Sequence, residues 1–377
     1  MAEWRKVKLG DIANTNESTY SPKEEWQFVN YLDTGSITMN KVKEIQYINT
    51  KTDKLPSRAR RKIKTNSIVY STVRPNQLHH GIIKKQPENF LASTGFTVID
   101  VDECKAIPDY IYYVLTQREI TEHLQAIAEQ SVSAYPSIKS SDIKDLEIML
   151  PNIEEQEKIV SILRAVDEKV KQNDAINNNL EQQVSTLYQA WFEDFIIFDG
   201  VCPDSWKFAT LADIAEVSSG KRPPIKSSIK TDEANIPLVG AASVMGYTNE
   251  FNHSDKILVT GRVGTHGVIQ RFNSPCWTSD NTLVIKSIYY EFTSQILKRI
   301  DYQSMNRGST QPLITQGDMN KVAILLPDHE TLVMFEDLAG TLMAQHEANV
   351  IENAKLAEMR DSLLPKLMSG EIDVSDL

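Results

Sequence analysis

The sequence predicts an α+β protein in which two α/β modules are separated by a long antiparallel two-helix coiled coil. A sixteen-residue phrase occurs twice, 176 residues apart. Each copy of the phrase follows a series of short β-like runs, and each is followed by a run of heptads. These observations predict an internal duplication with pseudo-twofold symmetry, because antiparallel pairing of the helices would place the modules at opposite ends of a rod.

The duplicated phrase is PSIKSSDIKDLEIMLP (136–151), which returns as PLITQGDMNKVAILLP (312–327) with six of sixteen positions identical. Three further pairs of stretches match in the same order: WRKVKLGDIA (4–13) with WKFATLADIA (206–215), YSTVRPNQLHHG (70–81) with LVTGRVGTHG (258–267), and LASTGFTVI (91–99) with WTSDNTLVI (277–285). The offset falls from 202 to 176 along the chain. The two copies therefore share a scaffold and differ in their loops, as modules with different ligands would.

The local periodicity predicts an α/β module in each copy. Strand-like runs in the first copy are SIVYSTV (67–73), FTVIDV (96–101) and DLEIML (145–150), and the last of these alternates apolar with other residues. One helix is expected over about Pro108–Glu129. The second copy alternates in the same way before its own Leu-Pro.

After each Leu-Pro the apolar period changes from two to about three and a half, which is the pattern of a coiled coil. Two heptad series follow the first phrase: Ile159, Val166, Asn173, Leu180 and Leu187, and Leu163, Val170, Asn177, Val184 and Trp191. Two follow the second phrase, the latter of them looser: Phe335, Leu342, Asn349, Leu356 and Leu363, and Ala339, His346, Asn353, Arg360 and Leu367. A helix of roughly 38 residues would be about 57 Å long.

Asparagines interrupt both seams at matching places, Asn173 and Asn177 in the first helix and Asn349 and Asn353 in the second. A buried asparagine in a seam lowers stability but fixes register, because any slip leaves its amide unpaired. Antiparallel pairing would bring the four amides close together. The alternative is a frayed or solvated middle of the helix pair.

These patterns predict four segments: a first module over residues 1–151, a first long helix over 152–195, a second module over 196–327, and a second long helix with the C-terminal tail over 328–377. The repeated phrase is expected to be the joint at which each module meets its own helix.

Composition favours a cytoplasmic protein with no membrane partner. No apolar run approaches the length of a membrane span, and the beginning of the chain lacks the apolar segment of a signal peptide. The three cysteines are far apart, which argues against a disulfide framework or a zinc knuckle.

The net charge of −11 hides an uneven distribution. The segment Gly35–Gln86 has twelve basic and two acidic residues, whereas Asp328–Leu377 has three basic and eleven acidic residues. The positive charge lies in the modules and the negative charge in the helices. Basic modules suit a polyanion such as nucleic acid.

The candidate DNA-binding residues of the first module lie in two stretches. In the first stretch, closely spaced cations would repel one another unless a polyanion neutralised them, which favours contacts with DNA phosphates. These residues are Arg58, Arg60, Arg61, Lys62 and Lys64. The stretch that follows carries side chains able to read base edges: Arg74, Asn76, Gln77, His79 and His80. The alternatives are a solvated charged face for the first stretch and an ordinary turn for the second.

The second module offers a smaller set of candidates: Lys221, Arg222, Lys226, Arg262, Thr265, His266, Ser309, Thr310 and Gln311. Its glycines do not form a phosphate-binding loop, because the GxxxxGK[ST] pattern is absent and GRVGTHG (261–267) lacks the lysine.

No catalytic constellation is recognisable. His79 and His80 have no cysteine or carboxylate cluster nearby, so loop histidines are favoured over a metal site. Asp109 and Asp142 are too far apart to make a convincing nuclease set, and Asp142 belongs to the repeated phrase. KRPPI (221–225) lacks the asparagine and aromatic residue of the tetrapeptide found in amino-methylating DNA enzymes.

Over essentially its whole length, the chain resembles the specificity subunit of a type I restriction-modification system. The resemblance rests on the two Trp-initiated openings, the repeated phrase, EEQEKIVSIL (154–163), LYQAWFEDF (187–195) and LLPKLMSGEIDVS (363–375) in this order. The chain departs from the family pattern where SVSAYP (131–136) is poor in glycine and where HETLVMF (329–335) has lost the EEQ of the first copy.

The resemblance implies two target-recognition domains, each reading one half of a split double-stranded DNA sequence. It further implies that the long helices dock two methyltransferase subunits, to which restriction (motor-nuclease) subunits are added. The chain would then be non-catalytic, with S-adenosylmethionine, ATP and magnesium bound by partner subunits.

Two other functions stay open at this point. One is a coiled-coil scaffold whose basic modules bind nucleic acid without sequence choice. The other is a self-sufficient methyltransferase or nuclease, which the missing motifs disfavour.

Overall fold

A computed structural model describes residues 4–130, 135–305 and 313–374. The chain divides into two compact units, one formed by residues 1–171 and 353–377 and the other by residues 172–352. The divisions fall inside the two long helices. Each unit therefore contains one α/β module together with part of each long helix.

The first module contains these elements: β1 Arg5–Lys8, β2 Ala13–Thr15, β3 Phe28–Leu32, β4 Ile37–Thr38, β5 Lys41–Val42, β6 Gln46–Asn49, β7 Ala59–Lys62, β8 Ile68–Ser71, β9 His80–Ile82, β10 Phe90–Ser93, β11 Phe96–Val101, α1 Pro108–Thr116, α2 Arg118–Glu129, α3 Ser140–Lys144 and β12 Glu147–Leu150. The strands form sheets ordered β2-β11-β8-β9 and β6-β3-β10-β7, with two-stranded sheets β1-β12 and β4-β5. Strands β3 and β10 run parallel.

The helix α4 (Ile153–Tyr188) follows and ends in a π-helical turn, Gln189–Glu193. The second module then contains β13 Lys207–Thr210, β14 Ala215–Ser219, β15 Ile236–Val239, β16 Val244–Thr248, β17 Ile257–Gly261, β18 Gln270–Phe272, β19 Trp277–Thr278, β20 Thr282–Ser287, α5 Tyr290–Arg299, α6 Gln316–Asn320 and β21 Ala323–Leu326. The helix α7 (His329–Met368) completes the described chain apart from a short tail.

The duplication predicted from the sequence is confirmed by the order of the strands in three corresponding sheets. The second module has sheets ordered β14-β20-β17-β18, β16-β15-β19 and β13-β21, which repeat the orders of the first module. Strands β15 and β19 run parallel, as β3 and β10 do. Strand β7, which carries the basic cluster, has no counterpart among the described strands of the second module.

The repeated phrase is the joint between each module and its helix, as predicted. It supplies α3 and β12 in the first copy and α6 and β21 in the second, and each set leads directly into a long helix. The first residues of each module are hydrogen bonded to this repeated phrase. The backbone N–H of Leu9 donates to the carbonyl of Leu146 at 2.9 Å, and that of Leu211 donates to Val322 at 2.9 Å.

The same polar device begins both long helices. The Asn152 side chain accepts a hydrogen bond from the Glu155 N–H at 2.9 Å, and the Asp328 side chain accepts one from Thr331 at 2.9 Å. Such N-caps satisfy backbone donors that have no partner inside the helix. The hydrogen bond from the Thr331 N–H lowers the pKa of the Asp328 carboxyl.

Most of the predicted heptad positions near the ends of the helices are buried, whereas Leu187 and Leu363 are partly buried beside the buried Tyr188 and Leu364. In the first unit Ile159 and Leu163 of α4 belong to one core with Leu364 and Leu367 of α7. In the second unit the core joins the later part of α4 to the beginning of α7 through Val184, Tyr188, Phe335 and Ala339. The order of these contacts makes the pairing antiparallel.

The asparagines of the seam are buried and hydrogen bonded, so the solvated-middle alternative is wrong for the three that lie in the second unit. The exposed fractions of Asn173, Asn177 and Asn349 are 1%, 7% and 5%. The amide of Asn349 donates to Asn177 Oδ1 at 2.8 Å, and that of Asn173 donates to Glu352 Oε2 at 2.7 Å. The fourth, Asn353, is half-buried.

One predicted helix is two. The stretch expected to be helical over Pro108–Glu129 breaks at Gln117, whose φ of −60° and ψ of 141° are extended. Residues Pro108–Leu115 are all buried, whereas α2 buries only one face. The break allows two helices with different burial to follow one another. None of the described helices is long and apolar enough to cross a membrane.

Substituting Asn349 with alanine is expected to destabilise the second unit by about 1–3 kcal/mol, because the buried Asn177 carbonyl loses its donor. Replacing both Asn177 and Asn349 with leucine should restore or exceed the original stability, since both buried amides of the pair are removed together and the exposed Gln345, which donates to Asn349, can be hydrated instead. The free energy of unfolding in urea measures both effects. The control is Asn178→Ala, at an exposed position of α4 next to Asn177, which should change stability by less than about 0.5 kcal/mol. Equal stability of N349A and N178A would contradict the role given to this pair.

Candidate DNA interface

The basic cluster of the first module lies on strand β7 at the end of its sheet. Ala59 is fully buried, while Arg60, Arg61 and Lys62 are half-buried and Arg58 is exposed. The strand pairs with β10 through a register shift at Ala59–Arg61, which interrupts regular alternation. Consecutive cations are therefore held at the surface of the sheet rather than on opposite faces of a regular strand.

The five cations of this cluster differ in their local partners. Lys62 pairs with Glu24 at 2.6 Å and lies 5.3 Å from the Trp26 ring, and the hydrogen bond from Lys62 lowers the pKa of Glu24. Lys64 lies 3.6 Å from Glu17. Among the described ion pairs, none involves the remaining three members: Arg58, Arg60 and Arg61. The three arginines are the members of the cluster with charge available to a polyanion.

The second stretch forms a tight turn after β8. Arg74 has a positive φ of 48° and precedes a 3₁₀ turn over Pro75–Gln77. Non-glycine residues in this left-handed region are uncommon and cluster at functional sites. Arg74, Asn76 and Gln77 are exposed. The backbone N–H of Asn76 donates to Gln125 Oε1 at 3.2 Å, which fixes the turn on α2.

The two stretches converge on one turn, Thr94-Gly95, between β10 and β11. The N–H of Thr94 donates to the carbonyl of Arg58 at 2.8 Å, and the N–H of Thr72 donates to the carbonyl of Gly95 at 2.8 Å. Backbone hydrogen bonds thus bring the arginine cluster and the Arg74 turn to the same end of the module. The spacing in the sequence did not show this convergence.

The second module repeats the arrangement with different residues. The N–H of Lys221 donates to the carbonyl of Thr278 at 2.9 Å, and the N–H of Arg262 donates to the carbonyl of Asn281 at 2.8 Å. Both segments are therefore anchored at the connection between β19 and β20, the counterpart of the Thr94-Gly95 turn. Gly220 is required in the first segment, because a Cβ there would lie 2.1 Å from the Ser279 carbonyl oxygen.

The candidate side chains of the second module are mostly accessible. Lys221, Arg222, Lys226 and Thr265 are exposed, and Arg222 lies 3.8 Å from Asp280. The Nδ1 atom of His266 lies 3.0 Å from the Gly261 carbonyl oxygen, which positions the ring within the turn. Ser309, Thr310 and Gln311 lie outside the described residues.

Two of these side chains carry buried nitrogen atoms without a hydrogen-bond partner in the described part of the chain. They are Nε of Arg262 and Nε2 of His266, and Arg61 Nε of the first module shares this property. Nine other described residues, most of them in the cores of the modules, also carry such atoms, so this property does not by itself mark a DNA contact.

The register of the repeat identifies equivalent positions in the two turns. Val73 forms an isolated bridge with Ser137, and Val263 forms the same bridge with Leu313. Arg262 is therefore the counterpart of Thr72, and the counterpart of Arg74 is Gly264. Gly264 has a φ of 82°, so the left-handed conformation is kept although the side chain is not.

A model of the type I restriction modification DNA specificity domain matches residues 1–182 and 203–353. The chain belongs to this family. The two matched ranges correspond to the two modules whose sheets repeat one another, so the family assignment and the duplication agree.

Two relatives of known classification align with most or nearly all of this specificity-family chain. It is 22% identical over 463 residues to the type I restriction enzyme HindI specificity subunit of Haemophilus influenzae, an alignment covering 99% of this chain and 100% of that protein. It is 26% identical over 309 residues to the MjaIX specificity subunit of Methanocaldococcus jannaschii, covering 72% and 70% of the two chains.

A solved structure supports the fold. The type I restriction-modification system S subunit from M. genitalium matches with a TM-score of 0.58 and 17% identity, covering 97% of this chain and 96% of that one. The α+β fold class predicted from the sequence is therefore that of the family.

His80, which the sequence predicts as a base-contacting residue, is buried in the core of the first module. Its side chain is 4% exposed, and its ring stacks on that of Tyr70 with the two ring centroids 5.6 Å apart. The Nδ1 atom of His80 lies 3.3 Å from the Tyr112 hydroxyl. Burial lowers the pKa of the ring to about 4, so the imidazole is neutral near pH 7. The neighbouring His79 is half-buried, with Nδ1 2.7 Å from the Ile37 carbonyl oxygen.

Tyr135 is a candidate that sequence reasoning missed. Its ring is 67% exposed, and the Arg74 guanidinium lies 5.9 Å from the ring centroid. The N–H of Arg74 also donates to the Pro136 carbonyl at 3.0 Å. The available signal was an aromatic residue immediately before a proline in the serine-rich sequence SVSAYP (131–136).

The free energy of unfolding of the unit that contains His80 is expected to fall as the pH is lowered from 6.5 towards 4. In this range the ring of the unfolded chain gains a proton that the buried ring excludes, because the pKa falls from 6.5 in the unfolded chain to about 4 in the folded one. The loss attributable to this residue between pH 6.5 and pH 5 is about 2 kcal/mol.

Urea unfolding at pH 7 and pH 5 measures the effect. His80→Gln lowers stability at pH 7 but should lose less than the parent between the two pH values, since glutamine does not titrate. An unchanged pH dependence in this variant would contradict the assignment.

Proposed function

We propose that this chain is the DNA-reading subunit of a type I restriction-modification complex, in which each module reads one half of a bipartite double-stranded target. The observation that carries the proposal is the convergence of two polar or basic segments on the equivalent turn of each module. Arginine donates bidentately to guanine, and asparagine or glutamine pairs with adenine. The scaffold of that turn is the same in both modules and the side chains differ, which suits two different half-sites.

The two modules divide the work of binding in different ways. The first module carries two arginines on β7 and a third, Arg58, directly before it, and none of the three takes part in a described ion pair. Strand β7 has no counterpart among the described strands of the second module. Phosphate contacts supply affinity and position, whereas base contacts supply specificity. On this basis Arg58, Arg60 and Arg61 position the first module on the backbone, and Arg74, Asn76 and Gln77 read bases.

The long helices set the spacer between the half-sites and dock methyltransferase subunits. Helix α4 begins directly after the joint of the first module and runs without interruption over 36 residues, about 54 Å. The hydrogen bond between Asn177 and Asn349 supports a fixed register, and a ruler requires such a register. The acidic surface of the helices favours protein partners over DNA.

Chemistry is assigned to the partners. Methylation and cleavage would be carried out by the methyltransferase and restriction subunits, which would bind S-adenosylmethionine, ATP and magnesium. This chain would contribute recognition and assembly alone. Among the described residues, no group of three or more histidine, cysteine, aspartate or glutamate side chains is arranged to hold a metal ion.

A base-resolution map of DNA methylation in the native cell, with and without this gene, tests the function. Loss of methylation at one split motif, two short blocks around an unread spacer, is the expected result. An R74A/N76A/Q77A variant should relax the bases of one block and leave the other block and the spacer intact, because these residues lie in one module. Each lost bidentate contact is worth about 1–3 kcal/mol of discrimination.

The matched control for this variant is Thr265→Ala at the corresponding turn, which should affect only the other block. A map that is unchanged by deletion of the gene, even when the neighbouring methyltransferase gene is deliberately expressed, would refute the function. Steeply salt-dependent binding without preference among duplexes would instead indicate a non-specific scaffold.

Removing one heptad from both long helices, residues 171–177 and 349–355, should shorten the spacer and leave both half-sites unchanged. The deletion removes about 10 Å of helix, or about three base pairs, and takes out both members of the Asn177–Asn349 pair together. The methylation map of the variant shows the spacer length and the bases of both half-sites. A variant with altered half-sites and the original spacer would contradict the ruler.

A further inference from the structure

The first helix after the sheet of each module carries a buried acid at its second position. Asp109 is the second residue of α1 and Glu291 the second residue of α5, and their exposed fractions are 9% and 3%. Six residues, Asp102–Ile107, connect β11 to α1, whereas two connect β20 to α5. The acid is therefore kept although the connection before it differs in length. A buried carboxylate needs a compensating charge or hydrogen bonds.

In the first module this acid bridges two cations from different parts of the fold. Asp109 Oδ2 lies 2.6 Å from the Lys84 ammonium, and Asp109 Oδ1 lies 3.0 Å from the Arg164 guanidinium. Lys84 follows β9 by two residues, and Arg164 belongs to α4. One carboxylate thus joins the module to the long helix.

In the second module the same connection is made with the charges rearranged. Arg271 of β18 donates two hydrogen bonds of 2.7 Å to the Glu291 carboxylate, and its guanidinium lies 3.6 Å from Glu347 of α7. The Asn273 amide donates to the same Glu347 carboxylate at 2.7 Å. Here one guanidinium joins the module to the long helix.

The long helix supplies a cation to the first triad and an anion to the second. The offset of 176 residues places Gly340 opposite Arg164 and Lys171 opposite Glu347 in the repeat, so neither charge has a counterpart in the other copy. Two different sets of residues therefore make the same connection. This indicates that the connection itself, rather than any one residue of it, is required in both copies.

The long helix also caps the start of the module helix in both copies. Gln156 Oε1 accepts a hydrogen bond from the Ile107 N–H at 2.8 Å. The Glu336 carboxylate accepts hydrogen bonds from the N–H groups of Glu291 at 3.0 Å and Phe292 at 2.8 Å. These backbone donors have no partner inside their own helix. Each module helix is therefore fixed to a long helix through its first turn as well as through the triad.

Both triads adjoin the strand that leaves the turn with the candidate base contacts. Strand β9 leaves the Arg74 turn and leads to Lys84, and β18 leaves the turn of Arg262 and carries Arg271. The two strands have the same place at the end of equivalent sheets, β2-β11-β8-β9 and β14-β20-β17-β18. A displacement of either turn relative to its long helix would therefore be transmitted to the triad through one short strand.

We propose that the triads Lys84–Asp109–Arg164 and Arg271–Glu291–Glu347 hold each of these turns in one position on its long helix and thereby restrict the protein to one spacer length. The inference rests on the DNA reading and the ruler proposed above. A helix pair of fixed register measures one length only if the modules do not shift on it. A spacer changed by one base pair moves a half-site by about 3.4 Å, which is more than an ion pair can follow without breaking.

The test measures methylation of short duplexes by the full chain assembled with the methyltransferase subunit encoded beside it. Each duplex contains both half-sites, with the spacer found in the cellular methylation map or one that is one base pair shorter or longer. Arg164→Met and Glu347→Ala should each lower the preference for the correct spacer by about three- to tenfold and leave the bases read unchanged. The combined variant should multiply the two effects, because the residues lie in different units.

Arg164→Lys is the conservative variant of the first triad. It keeps a cation opposite Asp109 and should retain the spacer preference of the parent. Thermal unfolding followed by circular dichroism verifies that the variants fold. The side chain of Arg164 is 52% exposed, so Arg164→Met decides the question even if Glu347→Ala does not fold.

Two control variants remove other charges from the same helices. Lys171→Met breaks a 3.7 Å ion pair between Lys171 and Glu168 within α4. Asp337→Ala removes an exposed carboxylate of α7 that takes part in none of the described ion pairs. Both variants should methylate the three kinds of duplex in the same ratio as the parent.

The outcomes separate the inference from the function on which it rests. An unchanged spacer preference in Arg164→Met would overturn the inference and leave DNA reading intact. An equal loss of methylation at all three spacers would also overturn it, because the triads would then only support folding. A parent without any spacer preference would overturn the ruler as well, and a parent that supports no methylation of a split motif would overturn the function itself.

Discussion

The rest of the structure depends on a short antiparallel pairing that joins the first strand of each module to its last. Lys8 lies opposite Glu147 in one copy, and Thr210 lies opposite Ala323 in the other. Because the two ends of a module meet in this pair, the segments between them form one closed unit. Only the last strand of that unit continues into the helix. The last strand then leads directly into the N-cap of that helix, so the module and the helix begin from one fixed point.

That constraint explains how two modules with one scaffold can differ in function. The inward-facing residues of the joint are buried and apolar in both copies, Leu9 and Leu211 as well as Ile148 and Ile324, since a change there would disturb the module and the helix together. Residues at the far turn between β10 and β11, or β19 and β20, are held by backbone hydrogen bonds that do not depend on side-chain type. Strand β7 and the Asp102–Ile107 connection are additions to this scaffold in one copy.

Local patterns were predicted well and long-range placement was not. The heptads and the repeated phrase follow from periods of 3.5 and 2, which adjacent residues encode directly. His80 looked like a loop histidine because the sequence gives no sign that Tyr70 and Tyr112 enclose it. The break at Gln117 was missed for a similar reason, since full burial of α1 makes its surface uniformly apolar and hides the change between two helices.

The sequence by itself determined the duplication, the antiparallel helix pair with its asparagines and the segments that carry the candidate DNA contacts. Only the tertiary structure decided which of those segments meet and that His80 is buried. The physical reason is that a periodic pattern reports only on residues that are close together in the sequence. The meeting of Arg58 and Thr72 at the Thr94-Gly95 turn depends instead on which distant strands pair.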